Sequence, residues 1–304
     1  MRIFVTGGTG FIGSHFLRVA LEAGHDVVAL RRPGSHPRVQ IAEEPRWVDG
    51  ELESFDASAL QGSDALIVLS AVGVSPQEVT WADAIRTNST ACLNLLERAR
   101  LHGVARIVVA GSCQEYGAAG ETMCQIPSSG RCEPRGPYAI SKHLFTSGAL
   151  GFARTFSMEL VCLRIFHAFG EGQHPSNFWP SLRAAAHADK NFPMTEGGQV
   201  RDFVPVESVA RTFLDACSWR DIKPGQPLVE NVGTGRAATL RDFAESWWRH
   251  WGAKGRLLIG ALPYRPGEVM RYVPEVSARI RAICEAGEPP FRSPSIDAGI
   301  GTQP

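Results

Sequence analysis

Tyr138 and Lys142 stand four residues apart in Pro137-Tyr138-Ala139-Ile140-Ser141-Lys142, a spacing that puts both side chains on one face of a helix. A free tyrosine ionises near pH ~10 and is a poor acid or base at neutral pH unless a nearby cation favours its phenolate. Lys142 supplies that cation. Ser112 follows the apolar run Ile107-Val108-Val109-Ala110, so it would lie at the carboxyl end of a strand, where open α/β sheets bind ligands. A hydroxyl there can polarise a carbonyl oxygen alongside Tyr138. A Tyr and a Lys four apart are by themselves ordinary surface residues. With Ser112 upstream they form a set suited to proton transfer at a carbonyl or alcohol carbon.

A second constellation opens the chain. The apolar stretch from Arg2 to Val5 runs into Thr6-Gly7-Gly8-Thr9-Gly10-Phe11-Ile12-Gly13. Gly7 permits the tight turn, Gly10 lets backbone amides reach a pyrophosphate, and Gly13 allows close helix packing, with the N-terminus of the following helix facing the anion. Phe11 and Ile12 complete this dinucleotide-binding loop, and Lys142 would then be placed to bond a nicotinamide ribose. An acidic residue about 20 positions on would normally hold the adenosine ribose hydroxyls. Here Val27-Val28-Ala29-Leu30 ends instead in Arg31-Arg32. Guanidinium groups there suit a 2′-phosphate, so NADP(H) is favoured. Either arginine on a solvated loop is the alternative, and NAD(H) stays open.

Both constellations need a scaffold, and the first half of the chain supplies one. Short β-rich runs (Ile3 to Thr6, Asp26 to Leu30, Ala65 to Ser70, Arg106 to Ala110, Leu160 to Arg164) alternate with helix-length stretches (Phe11 to Ala23, Trp81 to Leu101, Tyr138 to Thr155). That alternation predicts βαβ units and a parallel sheet. The runs are apolar almost throughout, so helices should bury them on both faces. Another helix is expected over Asn177 to Ala188. The reading is a Rossmann-type, doubly wound α/β fold. Residues 1–165 would form the dinucleotide-binding domain, with later segments returning to it, and 166–304 mainly a smaller α/β substrate-binding lobe. The Pro-, Gly- and Ser-rich tail from Glu288 to Pro304 is expected to be mobile or to lie on the surface.

Composition narrows the partners. Lys plus Arg and Asp plus Glu balance at 31 each, so no overall field attracts nucleic acid or an anionic membrane surface. No apolar run approaches the roughly 20 residues that span a bilayer. Seven scattered cysteines fit neither a disulfide framework nor a metal site and read as reduced thiols. No basic segment precedes an apolar one at the start of the chain. A cytoplasmic enzyme acting on small molecules is expected, with no metal.

Together these residues resemble the extended short-chain dehydrogenase/reductases, in particular the nucleotide-sugar epimerase, dehydratase and reductase group. The resemblance covers nearly the whole chain. Gly50-Glu51-Leu52 looks like the segment that contacts adenine in the family, which usually has Asp where Glu51 stands. Leu69-Ser70-Ala71 is similar to the strand end lying along the cofactor. Asn88 with Thr90, and Asn94 to Glu97, look like the family's long fourth helix. Ser112 to Gly117 and the Tyr138, Lys142 pair resemble its catalytic segments. Leu163 to Gly170 resembles the motif after strand six, implying a cofactor contact at Phe166. Family members commonly carry Asn where His167 stands, and a substrate contact or a packing role are both open for it. Ser176-Asn177-Phe178, Gln199 to Phe203, Asn231 to Gly235 and Arg265 to Glu268 also fit. The resemblance implies that Asn177, Arg201 and Arg265 hold a nucleoside diphosphate-sugar, with an ion pair to Asp202 or a neighbouring acid as the alternative for Arg201. It implies a homodimer joined through the Trp81 to Leu101 and Tyr138 to Thr155 helices.

The residues after Ser112 bear on the reaction. Sugar-nucleotide 4,6-dehydratases place Asp and Glu there for the proton transfers of water loss; this chain has Cys113 and Gln114. An amide cannot do that work and a thiol does it poorly. A 4-ketoreductase or a 4-epimerase remains, and Arg31 and Arg32 tilt the choice to NADPH-dependent reduction of the C4 ketone of a nucleoside diphospho-4-keto-6-deoxyhexose. An acid role for Cys113 in a neighbouring epimerisation is disfavoured, because its position is one residue away from where resemblance would require it. Reduction of a non-sugar carbonyl and a cofactor-sensing role are the remaining alternatives.

Overall fold

A computed structural model describes residues 1–286, so the tail from Glu288 onward lies outside the described residues. Seven strands form the central sheet. They are β1 (Arg2–Thr6), β2 (Asp26–Arg31), β3 (Arg46–Asp49), β4 (Ala65–Val68), β5 (Arg106–Ser112), β6 (Glu159–Ile165) and the later strand Leu228–Val232. Their spatial order is Leu228–Val232, β6, β5, β4, β1, β2, β3, and every pairing is parallel. After β3 the chain crosses back over β1 to β4, so the strand order reverses between β1 and β4. Beyond the carboxyl ends at such a reversal the loops part and leave a crevice.

Both faces of the sheet are covered. Ile3 and Val5 of β1 and Val27 and Ala29 of β2 bury against Phe16 and Leu17 of α1 (Phe11–Glu22) and Val209 and Phe213 of the helix Val206–Ala216. Phe4, Val28 and Leu66 bury on the opposite face, against Leu95, Leu96, Phe145 and Ala149. Each such side chain contributes about 1.5–3 kcal/mol. The unbroken apolar runs of the sequence follow from this double burial.

The second-face helices are α3 (Cys92–Leu101), preceded without a break by α2 (Trp81–Ala84) and a π-helical segment Ile85–Ala91, and α5 (Gly136–Phe156), whereas the short α4 (Gly117–Glu121) packs against Tyr272. The expected helix from Trp81 to Leu101 therefore contains a stretch of wider winding. A smaller core gathers Phe169, Leu182, Met194, Phe243, Trp247 and Trp248. It lies among α6 (Phe178–His187), the helix Leu240–His250 and the strand pair Phe192–Pro193 with Leu257–Leu258. The strand Leu228–Val232 returns to the edge of the main sheet beside β6.

Candidate active site

The glycine loop lies at the sheet's reversal. Gly7 adopts φ +75°, and a Cβ there would stand 2.6 Å from the Leu69 carbonyl carbon and the Ser70 nitrogen. Gly10 caps α1 and its N–H donates to Gly7 O at 2.9 Å. A Cβ on Gly13 would come within 2.0 Å of Gly7 O. Thus Gly7, Gly10, Phe11, Ile12 and Gly13 gather beside Leu69, whose N–H reaches Thr6 O at 3.1 Å, and Ala71 two residues on. The result is a cradle of bare backbone against the amide end of a 12-residue helix, which fits a pyrophosphate.

The adenosine side differs from the sequence reading in one respect. Arg31 is engaged: its Nε donates to Asp49 Oδ1 at 2.8 Å, and its guanidinium lies 4.7 Å from the centre of the Trp47 ring. Arg32 is exposed. Glu51 is also exposed, and its carbonyl accepts the N–H groups of Ser54 and Phe55, both at 3.0 Å. Leu52 O accepts from Arg98 Nη1 at 3.2 Å. Arg98 also donates to Phe55 O and stacks over the Phe55 ring at 4.0 Å, which fixes the loop that carries Glu51 and Leu52.

Ser112 ends β5 and caps the short turn after it. Its Oγ accepts Gln114 N–H at 3.2 Å while its own N–H donates to Glu115 Oε1 at 2.8 Å. Tyr138 and Lys142 project from the first turns of α5, where Pro137 suits a helix start. Burial pushes the Tyr138 phenol above its ordinary range, and hydrogen bonding with Ser112 opposes that rise. Lys142 is 2% exposed, with Nζ 5.4 Å from the centre of the Phe145 ring. Ser112 and Tyr138 therefore meet at the carboxyl end of β5, with Lys142 buried one helical turn further along α5.

Sequence reasoning assigned no role to the groups that hold this set. Asn88, on the π-helical segment, accepts Val72 N–H at 2.8 Å and donates to Val72 O and Ser141 Oγ, both at 3.0 Å. Ser89 Oγ donates to Ser141 O at 2.8 Å. One segment thus ties the loop after β4 to the turn of α5 that carries Lys142. Beneath Ser112, buried Glu115 pairs with Arg164 at 3.2 Å, and Arg164 donates to Ser128 O at 3.1 Å and lies over Tyr116. The available signal was a lone arginine inside the apolar run of β6, since a charge buried there requires a partner.

The expected substrate residues come from several segments. His167, on the strand His167–Phe169, packs against Phe203 and Tyr272, and its Nδ1 is buried without a hydrogen-bond partner. Burial, reinforced by nearby Arg201, carries its pKa down to about 3. Arg201 donates to Glu268 Oε1 at 3.1 Å and to Val269 O. Its acid is therefore Glu268, because Asp202 is occupied by the N–H and hydroxyl of Thr234, both at 2.9 Å, and by Gly235 N–H at 2.7 Å. Asn177 caps α6. Arg265 is exposed, three residues before Glu268. The Phe166 ring is buried with Tyr116, Ile126 and Tyr272, so any cofactor contact there falls to its backbone. Cys113 is buried too, its thiol pushed up to about 12 by desolvation.

The sequence profile of the NAD dependent epimerase/dehydratase family matches residues 3–233. The chain belongs to that family. Its resemblance to the extended short-chain dehydrogenase/reductases is thereby established, and with it an oxidoreductase-type enzyme on a Rossmann-like sheet. A dTDP-glucose 4,6-dehydratase from Streptomyces niveus is 29% identical over 289 residues, covering 90% of this chain and 84% of the relative. A putative UDP-glucose 4-epimerase from Methanocaldococcus jannaschii is 26% identical over 280 residues, covering 88% of each. Among solved structures, MoeE5 in complex with UDP-glucuronic acid and NAD superposes with a TM-score of 0.78 at 28% identity, covering 94% of this chain and 93% of the other. The matched span takes in the glycine cradle and the segments that carry Ser112, Tyr138 and Lys142. Among the described residues no helix is long and apolar enough to cross a membrane.

Proposed function

We propose that this chain reduces the C4 ketone of a nucleoside diphospho-4-keto-6-deoxyhexose with NADPH. The observation that carries the reading is the wall beside Ser112. Where a 4,6-dehydratase needs an acid and a base, Gln114 cannot titrate, and the buried Cys113 thiol stays protonated near neutrality with its pKa at about 12. No carboxylate pair therefore stands beside Ser112, and Tyr138, hydrogen-bonded to Ser112, is the proton donor of this reading, which suffices for a ketone and not for elimination of water. When bound, the nicotinamide supplies hydride to C4. Tyr138 gives its phenolic proton to O4, Ser112 holds the carbonyl oxygen in line, and Lys142 favours the phenolate left behind until solvent reprotonates it.

The diphosphate is assigned to Arg201 and Arg265, with Asn177 and the neutral imidazole of His167 lining the sugar side. Binding energy from this remote end positions C4. Arg31 and Arg32, in the place of a ribose-binding acid, support NADPH over NADH. A homodimer through α2, α3 and α5 is supported by the exposed Trp81 (53%) and Leu144 (45%) on those helices, and a cytoplasmic setting by seven free cysteines.

A second reading, NAD-dependent 4-epimerisation, is favoured by the likeness to the UDP-glucose 4-epimerase and by the Asp49 carboxylate on Arg31. The deciding experiment releases and identifies the dinucleotide from freshly purified protein, then follows NADPH oxidation with 4-keto-6-deoxy nucleotide-sugars. NADPH consumption with a 4-hydroxy product supports reduction. Retained NAD with interconversion of 4-epimers, and no net NADPH use, selects the epimerase. Binding of dinucleotide with no turnover of any sugar nucleotide sinks both and points to a non-sugar carbonyl or a sensing role.

A further inference from the structure

The strand register brings four residues of the β2 and β3 edge together. Thr6 pairs with Leu30, Leu30 with Val48, and Arg31 with Asp49, so Arg31 and Asp49, the last residues of β2 and β3, stand in one row with Gly7, the first residue after β1. Side chains alternate between the faces of a strand, and Val5, Ala29 and Trp47 all belong to the core under α1. Arg31 and Asp49 therefore project from the α1 face of the sheet, the same side as the glycine cradle. Paired strands lie only about 4.8 Å apart, so both groups are neighbours of an adenosine ribose seated next to that cradle.

Arg31 is clamped there. Asp49 takes its Nε at 2.8 Å, Trp47 carries the guanidinium plane at 4.7 Å, and Trp47 Nε1 in turn donates to Glu44. The clamp occupies one N–H of the fork, and the two terminal amino groups are the ones suited to bidentate contact with a phosphate. At the same time the Asp49 carboxylate offsets much of the charge that a 2′-phosphate would feel, and it is itself an acceptor of the kind that holds ribose hydroxyls.

We infer that the Arg31–Asp49 pair sets cofactor selectivity, with Asp49 as the residue that restrains NADP(H) binding and keeps NAD(H) acceptable. This rests on the reading of the glycine cradle as a dinucleotide site. With Asp49 ionised, a 2′-phosphate gains the Arg31 fork and faces a carboxylate beside it. Without that charge the arginine serves the phosphate alone. Without the arginine the carboxylate is released to the 2′- and 3′-hydroxyls of NAD. Asp49 lies at the edge of the sheet with its side chain 53% exposed, so replacing it leaves the core intact.

Titration calorimetry of the full chain with NADP and NAD, for wild type, Asp49→Asn and Arg31→Ala, tests the inference. Removing the Asp49 charge should tighten NADP about fivefold, the scale of an exposed ion pair, and leave NAD unchanged or weaker. Asp49→Ser should repeat that shift if the amide perturbs folding. Removing Arg31 should weaken NADP about 10- to 100-fold, the scale of a charge-assisted hydrogen bond, while NAD binds as well or better. If both dinucleotides change by the same factor in the Asp49 variants, the pair only fastens β3 and the inference fails while the dinucleotide reading stands. If wild type binds neither dinucleotide, the dinucleotide reading fails and takes the inference with it.

Discussion

Ser112 works through both its side chain and its backbone. Its hydroxyl caps the turn at Gln114 and bonds Tyr138, while its N–H is held by Glu115. Tyr138→Phe keeps the ring and removes the transferable proton, so turnover should fall at least 10²- to 10⁴-fold, the range for a lost general acid, with dinucleotide affinity unchanged by calorimetry. Normal turnover in that variant would remove Tyr138 from the mechanism. Glu115 predicts a different phenotype. Its side chain is fully buried and faces Arg164, itself 6% exposed, so Glu115→Gln leaves a guanidinium uncompensated in the interior. Urea unfolding should show a loss of about 3–5 kcal/mol. The placing of Tyr138 and Lys142 on one helix was legible from spacing. The support from Glu115 and Arg164 was not, because the two are 49 residues apart and meet only when β5 and β6 pair.

The elements show the same division. β1, β2, β4, β5 and β6 were found to within two residues, because strands buried on both faces leave unbroken apolar runs. β3 was not found. Trp47 and Val48 are half-buried, while Arg46 and Asp49 on either side are exposed, and a four-residue edge strand of that kind gives no periodic signal. The helix Leu240–His250 was also missed, although Phe243, Ala244, Trp247 and Trp248 line one face and Thr239 caps it by accepting Asp242 N–H at 3.0 Å. The Gly and Pro clusters around it hid its period. At Gly13 the demand for glycine is steric, since a Cβ would lie 2.0 Å from Gly7 O. Gly13→Ala should push α1 off the loop and weaken dinucleotide binding by at least tenfold in calorimetry. Binding at wild-type strength would mean that the cradle is not the cofactor site.

Across the whole molecule, buried histidines tie stability to pH. His167 is lowered to about 3 and His15 is also lowered, burial being the main cause in each. The unfolded chain takes up these protons near pH ~6.5, while the folded chain resists. The stabilisation is thus fully present above that value and is lost progressively as pH falls toward about 3 for His167. Thermal melts from pH 7 to 4 should show a falling midpoint, and His167→Asn should make the fall shallower. An identical slope in that variant would show that His167 does not titrate across this range.

The sequence by itself determined the parallel sheet, the glycine turn, the place of Ser112 at a strand end and the shared helix of Tyr138 and Lys142, because each is written in local pattern: apolar runs, glycine spacing, and two residues one helical turn apart. Only the tertiary structure decided which charges are free. Neither Arg31 nor Arg201 shows its partner in the sequence, yet Arg31 meets Asp49 on the neighbouring strand and Arg201 meets Glu268, 67 residues away, instead of the adjacent Asp202. Ion pairing depends on distances that the fold sets, and residues remote along the chain carry no local trace of them.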